Sequence, residues 1–389
     1  MKWWRQLSRN GLARFGVSVL LVLYLAVIGA DFIAPYSACD TAAINRGICE
    51  PQTDGALLPP TPIYWKNQQT GDWIGPHVYP TTLGPIDLET GDRELLVDTQ
   101  NPSPIRPFVK GFAYNVAQIR LPLPTRFSLS DPKVEPVTLF PGFRSDRHLF
   151  GAVGEGKINL LGTDQQARDQ FSRLLYGGRI SLSIGIVGVL ISFPLGMLVG
   201  GISGYFGGWT DTITMRLVEV LMTIPSIYLL VALASVLPPS LSSSDRFTLI
   251  ILITSFIGWA GLARVIRNQV LSIKEQEYVQ ASKAMGGRPL YIILRHVLPQ
   301  TATYVIISAT LSIPGFIGAE AVLSLIGLGI QQPDPSWGNM LSLATNASIL
   351  VLQPWLVWPP AGLLVITVLS FNLLGDALRD VLDPRGSQS

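Results

Sequence analysis

The stretch ISLSIGIVGVLISFPLGMLVGGI, residues 180–202, decides the fold class of this chain. It holds no charged residue, and as a helix it is long enough to cross the hydrocarbon core of a bilayer, which is about 30 Å thick. A helix is the expected form because lipid offers no hydrogen-bond partner to an open backbone. Five other stretches are also mostly apolar: residues 17–34, 217–237, 247–263, 301–328 and 355–374. The sequence therefore predicts an all-α polytopic membrane protein with six transmembrane helices.

Composition excludes several other classes of protein. Charged residues form 14% of the 389-residue chain and hydrophobic residues 48%, whereas about 25% of an ordinary soluble domain is charged. The net charge of +2 gives no reason to expect a nucleic-acid partner. With three His and two Cys, the chain is expected to bind no metal and no cofactor of its own.

The distribution of basic residues predicts the orientation in the membrane. Lys and Arg are enriched in short cytoplasmic loops, and here they are frequent in residues 1–16 and 264–295 but absent from residues 331–354. We therefore expect both termini in the cytoplasm and residues 36–178 outside. The first apolar stretch is longer than the usual signal-peptide core of about 7–15 residues and lacks a small-residue cleavage site, so we interpret it as a retained helix.

The outer segment is predicted to be a small β-rich insert. Thr-Gly-Asp at residues 70–72 and again at residues 90–92 lies between β-prone flanks, a pattern typical of hairpin turns. Residues 164–176 have the apolar spacing of a short amphipathic helix, expected to lie on the outer surface. Cys39 and Cys49 share this segment, and both a disulfide and two free thiols are compatible with their spacing.

On the opposite side, residues 264–300 form a basic segment that is long for a simple connection. A run of good helix formers begins near Tyr278 and ends at Gly286, and glycine after the last helical residue is typical of a helix end. Pro289 then favours the first turn of a second helix. The predicted helix–Gly–helix element either packs beneath its own bundle or forms a socket for a partner.

This segment resembles the EAA loop of permease subunits of ABC importers, whose pattern is E-A-A-x3-G-x9-I-x-L-P. The matching positions are Ala281, Gly286, Leu298 and Pro299, with Gln280, Ser282 and His296 standing where the family has Glu, Ala and Ile. GYFGGW at residues 204–209 and FNLLGD at residues 371–376 are also similar to the family. In order and spacing, residues 161–385 resemble the C-type permease (OppC/DppC-like) of the dipeptide, oligopeptide and nickel branch.

The resemblance implies an N-terminal tail and helix over residues 1–35, a type I importer core over residues 179–376 and a cytoplasmic tail over residues 377–389. It also implies a multi-pass protein of the bacterial inner membrane. The implied partners are a second, B-type permease subunit, two ATPase subunits that use ATP and Mg²⁺, and an extracytoplasmic binding protein that delivers peptide or a solute such as a nickel chelate. The sequence contains no G-x-x-x-x-G-K-[ST], so this chain is expected to be a non-catalytic transport subunit.

Two groups of residues are candidates for function. We expect the ATPase contact to involve Tyr278, Gln280, Ala281, Ser282, Ala284, Gly286, Arg295, Leu298 and Pro299. Candidates for the pathway or a helix interface are Glu219, Pro225, Pro314 and Glu320. A carboxyl group in lipid is costly and so suggests a role, but Glu219 could reach water and Glu320 could simply make a packing hydrogen bond. The two prolines are expected to kink their helices, whether or not the bundle moves.

A secondary transporter or channel that works alone is the alternative prediction. Such proteins usually show inverted repeats or broken helices around ionisable groups, and the six apolar stretches have no obvious internal repeat. A membrane metalloprotease is disfavoured because there is no H-E-x-x-H and the three His lie in separate segments.

Overall fold

The structure is a computed structural model. It describes residues 10–382 except residues 41–42, 45–46, 48, 50–54, 87–92, 117–118, 122–136, 141, 239–240 and 242. Its helices, in chain order, are α1 (Gly11–Ile28), α2 (Ala30–Ile33), α3 (Gln170–Phe206), α4 (Gly208–Thr223), α5 (Ser226–Ser235), α6 (Ser243–Ile273), α7 (Glu277–Ala284), α8 (Pro289–Ile292), α9 (Ala302–Leu325), α10 (Trp337–Leu341), α11 (Ala347–Leu352) and α12 (Pro354–Leu382).

Five helical segments are long and apolar enough to cross a membrane: Gly11–Ile28, Gln170–Phe206, Asp245–Ile273, Pro289–Leu325 and Pro354–Leu382. The fourth of these joins α8 to α9 through a π-helical turn (Ile293–Val297) and a 3₁₀ turn (Leu298–Thr301). The pair α4 and α5 is a sixth candidate. The predicted mostly helical membrane fold is thereby confirmed.

The kink predicted at Pro225 is a complete break, at which α4 and α5 are bent by 84°. Ile224 has an extended backbone (φ −84°, ψ 124°), as expected of a residue whose helical conformation is hindered by the following proline. Pro314 behaves differently, because α9 continues through it as one helix. A proline removes one backbone hydrogen bond, which a helix packed among neighbours can tolerate.

The amphipathic surface helix expected over residues 164–176 is absent from the structure. Instead α3 begins at Gln170 and runs without interruption into the second apolar stretch. The chain before α3 forms a turn that begins at Asp164, whose Oδ1 accepts hydrogen bonds from the backbone N–H groups of Gln166 and Arg168. Asp169 then caps α3 by accepting the N–H of Ser172 at 2.7 Å.

The insert contains β1 (Tyr64–Lys66), β2 (Trp73–Val78), β3 (Thr81–Ile86), β4 (Arg93–Val97), β5 (Ser103–Val116), β6 (Ile119–Leu121), β7 (Val137–Phe140) and β8 (Phe143–Ala152). One antiparallel sheet has the order β1-β2-β5-β8, and β3–β4 and β6–β7 form separate pairs. Both predicted hairpins are present as β1–β2 and β3–β4, although the second turn lies outside the described residues.

The chain segments that lead into and out of the β sheet meet at Leu58 and Thr163. The N–H of Leu58 donates to the hydroxyl of Thr163 at 2.8 Å, and the N–H of Thr163 donates to the carbonyl of Leu58 at 3.0 Å. β8 packs against α2, where Phe32 contacts Phe108 with 6.1 Å between ring centroids. The sheet therefore lies directly at the end of the first membrane helix.

Helix α3 is the centre of the bundle, where it packs against α6 and α9. Three glycines spaced four residues apart on α3 permit the close approach to α6. A Cβ atom would lie 2.9 Å from the carbonyl oxygen of Trp259 if built at Gly196, and 2.8 Å from that of Arg267 if built at Gly204. At Gly200, between them, a Cβ would clash with the carbonyl of Ala263. Small residues of this kind are typical of tightly packed membrane helices.

Candidate functional site

The structure contains the helix–Gly–helix segment, residues 277–298. Helix α7 ends at Ala284, and Gly286 has φ +82°, a conformation that glycine adopts without the penalty paid by other residues. The N–H of Gly287 donates to the carbonyl of Ser282 at 3.0 Å and closes the helix end. Pro289 occupies the first turn of α8.

One side of this segment belongs to the protein core. Its buried apolar residues pack with Ile266 and Val270 of α6: Val279, Ile292, Ile293, Val297 and Leu298. Ser282 is also buried. Two of the predicted contact residues, Ser282 and Leu298, lie on this buried side of the segment. Their small or apolar side chains suit the buried side as well as the exposed side, which is why the sequence alone did not separate them.

The other side of the segment is exposed and carries large apolar side chains as well as the charged residues Glu277, Lys283, Arg288 and Arg295. Met285 is 82% exposed, and Leu290 and Tyr291 are each 56% exposed. The predicted contact residues on this side are Tyr278, Gln280, Ala281, Ala284, Gly286, Arg295 and Pro299. Sequence reasoning missed Met285, Leu290, Tyr291 and Leu294, although apolar residues within a basic loop could have indicated them. An exposed apolar surface of this kind is typical of an interaction site.

A series of hydrogen bonds connects α7 to the membrane helices. The amide of Gln280 donates to the carbonyl of Lys274 at 2.9 Å, and the Lys274 ammonium donates to the carbonyl of Gly204 on α3 at 3.0 Å. Near this point Arg267 of α6 forms an ion pair with Asp211 of α4, with 2.9 Å between Nε and Oδ1. Lys274 thereby links α7 to α3 through polar contacts, and the Arg267–Asp211 pair joins α6 to α4 nearby.

A cavity of about 430 Å³ lies between α3, α5, α6 and α9. Its lining is mainly apolar, with Phe193, Leu230, Ile257, Phe316 and Val322, and includes the hydroxyl residues Ser226, Thr254 and Ser312. None of the four residues predicted from the sequence lines this cavity in the described part of the chain. Pro225 and Pro314 lie next to lining residues, and Glu219 forms an exposed pair with Arg216 at 3.1 Å.

Glu320 is fully buried and bonded to serine hydroxyls. Its Oε1 accepts from Ser324 at 2.6 Å and from Ser336 at 2.7 Å, and its Oε2 accepts from Ser181 at 3.3 Å. Ser336 is also the N-cap of α10. Glu320 thus joins α9 to α3 and to the start of α10, which favours the packing role over the pathway role.

A second polar cluster lies at the N-terminal end of α3 and joins three distant parts of the chain. The fully buried Arg173 donates to the carbonyls of Ala38 and Pro333, both at 3.0 Å, and its Nε lies 3.3 Å from Asp164. Cys39 follows Ala38 and is bonded to Cys49, with 5.0 Å between Cα atoms. This cluster, which sequence reasoning missed, holds the segment after α2 against α3.

Asp169 lies beside this cluster and is completely buried. One carboxylate oxygen caps α3, whereas Oδ1 has no hydrogen-bond partner among the described residues. Burial raises the pKa of the Asp169 carboxyl to about 7 because the charged form loses its hydration.

Comparisons with known proteins agree with this arrangement. Residues 192–388 match the family described as binding-protein-dependent transport system inner membrane component, and residues 2–60 match the N-terminal transmembrane domain of oligopeptide transport permease C. The β insert lies between the two matches.

Individual relatives match over similar lengths. The dipeptide transport system permease protein DppC of Bacillus subtilis is 43% identical over 225 residues, which are 58% of this chain and 68% of the relative. The oligopeptide transport system permease protein OppC of the same organism is 41% identical over 59% of this chain and 72% of the relative. OppC of Haemophilus influenzae is 40% identical over 58% of this chain and 70% of the relative. The chain therefore belongs to the family of binding-protein-dependent transport system inner membrane components.

Proposed function

We propose that this chain is the C-type permease subunit of an ATP-driven importer of peptides or a related small solute. It would form the translocation pathway together with a second, B-type permease subunit. Membership of the family and the names of the relatives support this role. The proposal includes a nickel chelate as an alternative cargo, because substrate choice in it rests mainly with the extracytoplasmic binding protein.

The exposed apolar side of the helix–Gly–helix segment carries the proposal. Its opposite side packs on α6, and the segment continues into α9, so a partner docked there would act directly on the helices around the cavity. The partner in this proposal is a pair of ATPase subunits, which would supply the ATP and Mg²⁺ chemistry. This chain would itself hydrolyse nothing.

The docking proposal is tested by comparing two matched substitutions. Leu290→Asp changes an exposed residue of the segment, and Leu96→Asp changes a comparably exposed leucine of the insert. We expect Leu290→Asp to abolish co-purification of the ATPase and substrate uptake, with normal insertion of the chain, and Leu96→Asp to leave both unchanged. Retention of ATPase and uptake by Leu290→Asp would contradict the docking role. Uptake by this chain without any ATPase would instead favour a stand-alone transporter.

The proposal includes both termini in the cytoplasm and the insert outside. The abundance of Lys and Arg in residues 264–295 supports this orientation. Alkaline phosphatase fused at residue 100 should be active, and the same enzyme fused at residue 389 should be inactive. The reverse pattern would overturn the orientation. A panel of peptides and nickel chelates, tested with the complete importer, would then identify the substrate.

A further inference from the structure

The exposed face of the β5–β8 ladder combines basic and aromatic side chains. Arg106, Phe108 and Lys110 of β5 and Arg147 and Leu149 of β8 are all exposed, and the register places Lys110 directly opposite Arg147. We call these five residues the basic face.

Two cations of the basic face are directly opposite each other. Lys110 pairs with Arg147 in the antiparallel register, an arrangement of like charges that destabilises a sheet. Within the described residues, neither side chain forms an ion pair with a carboxylate. The Arg147 guanidinium donates to the carbonyl of Phe108 at 3.0 Å. An external anion would relieve this repulsion.

The basic face adjoins the lipid-facing side of α1. Leu21, Leu25 and Ile28 of α1 are exposed and have helical spacing, and α2, which follows after Gly29, contains the half-buried Phe32. Phe32 is the residue that contacts Phe108. The apolar surface of α1 that faces lipid therefore continues into the basic face, at the level where aromatic and basic side chains meet headgroups.

We propose that the basic face binds anionic phospholipid headgroups of the leaflet on its side of the membrane. Phe108 enters the interfacial region, and Arg106, Lys110 and Arg147 contact lipid phosphates. The occupant is lipid because the basic face is continuous with the lipid-facing surface of α1. This inference goes beyond the proposed function, since it does not depend on transport or on the ATPase.

The test measures hydrogen–deuterium exchange of the full-length chain in nanodiscs. Peptides that cover β5 and β8 are compared in phosphatidylcholine discs and in discs that also contain phosphatidylglycerol. Each Lys or Arg near an anionic membrane surface strengthens binding to that surface about fivefold. We therefore expect amide exchange in the β5 and β8 peptides to be at least about fivefold slower in the anionic discs.

Two double variants give a matched comparison. Lys110→Gln with Arg147→Gln should lose the effect of anionic lipid, and because it removes like-charge repulsion it should remain folded. Lys66→Gln with Arg144→Gln removes the same two charge types from other exposed positions of the sheet and should retain the effect.

Three outcomes would overturn the proposal. The first is equal exchange of the wild-type chain in both kinds of disc. The second is equal slowing when inorganic phosphate is added to phosphatidylcholine discs, which would indicate a site for a free anion. The third is slowing that requires the soluble binding protein, which would indicate a protein contact.

Discussion

The hydroxyl of Ser336 lies 2.7 Å from Oε1 of Glu320 and donates a hydrogen bond to it, which fastens the N-terminus of α10 to the middle of the bundle. The backbone N–H of Trp337 donates in turn to Ser181, whose own hydroxyl reaches the other oxygen of Glu320. The Glu320 carboxyl group thus contributes, together with the packing of Trp337, to the position of α10.

Glu320→Ala should destabilise the chain strongly, because it leaves buried serine hydroxyls without their acceptor. A loss of about 3 kcal/mol is expected, since each unsatisfied buried polar group costs about 1–3 kcal/mol. Thermal unfolding in detergent measures the effect. Glu219→Ala is the control, because an exposed ion pair contributes about 0–1 kcal/mol. Equal midpoints for the two variants would contradict the role given to Glu320.

Gly286→Val should uncouple the chain from its proposed ATPase without preventing insertion. No atom lies within 4 Å of a Cβ built at Gly286, so lack of space is not the reason. The reason is the backbone conformation, since Gly286 has φ +82°. This left-handed conformation costs a residue with a side chain roughly 1–2 kcal/mol, and it costs a β-branched residue such as valine more. Uptake and ATPase co-purification are the measurements. Gly286→Asn, which tolerates this conformation better, should retain part of both.

Gly200→Ala should weaken the contact between α3 and α6, at a cost of about 1–3 kcal/mol from overpacking. Gly261→Ala is the matched control on α6, because a Cβ there meets no atom within 4 Å. That control should be neutral or up to about 1 kcal/mol stabilising, as alanine favours helix. Unfolding of the purified chain in detergent distinguishes them, and a Gly200→Ala chain as stable as the control would argue against the close approach.

Asp169 should make stability depend on pH in a defined direction. Its pKa is about 7 in the folded chain and 3.8 as the ordinary value, so the folded state holds the proton more tightly. The stability that the chain gains from this tightly held proton is complete below about pH 4, and it is lost as the pH rises to about 7. Asp169→Asn keeps a capping oxygen but cannot ionise. Compared at about pH 5 and about pH 8, the wild type should lose more thermal stability than the variant, and equal losses would exclude this contribution.

Replacing Cys39 and Cys49 by serine should destabilise the region after α2 by up to about 3 kcal/mol, the value for closing a short loop. Mass spectrometry of unreduced peptides from the wild type should detect the linked pair. Complete alkylation of both thiols without reduction would show that the bond is not present in the isolated protein.

Those parts of the fold that depend on local chemistry were predictable from the sequence. The membrane-spanning stretches are apolar because polar groups are costly to bury in lipid. The first hairpin is indicated by the turn residues Thr70-Gly71-Asp72. The helix–Gly–helix segment followed in the same way from Gly286 and Pro289. Each of these signals lies within a few residues of the structure that it specifies.

Other features depend on contacts that local pattern does not contain. Pro225 predicts a kink, but packing of α5 sets the angle. The spacing of residues 164–176 fits a surface helix as well as it fits a turn followed by α3, and the side chain of Asp164 decides between them. The partners of Glu320 include Ser181, which is 139 residues away, so its role required the tertiary structure.

The reciprocal hydrogen bonds between Leu58 and Thr163 bring the two ends of the intervening chain together. The intervening chain departs from and returns to the same place, so its length does not alter the distance that the flanking segments must span. A longer, shorter or different insert would therefore leave the packing of the membrane helices against one another unchanged. The junction is therefore a graft point, at which one transport scaffold can acquire different extramembranous domains while its helical machinery stays unchanged.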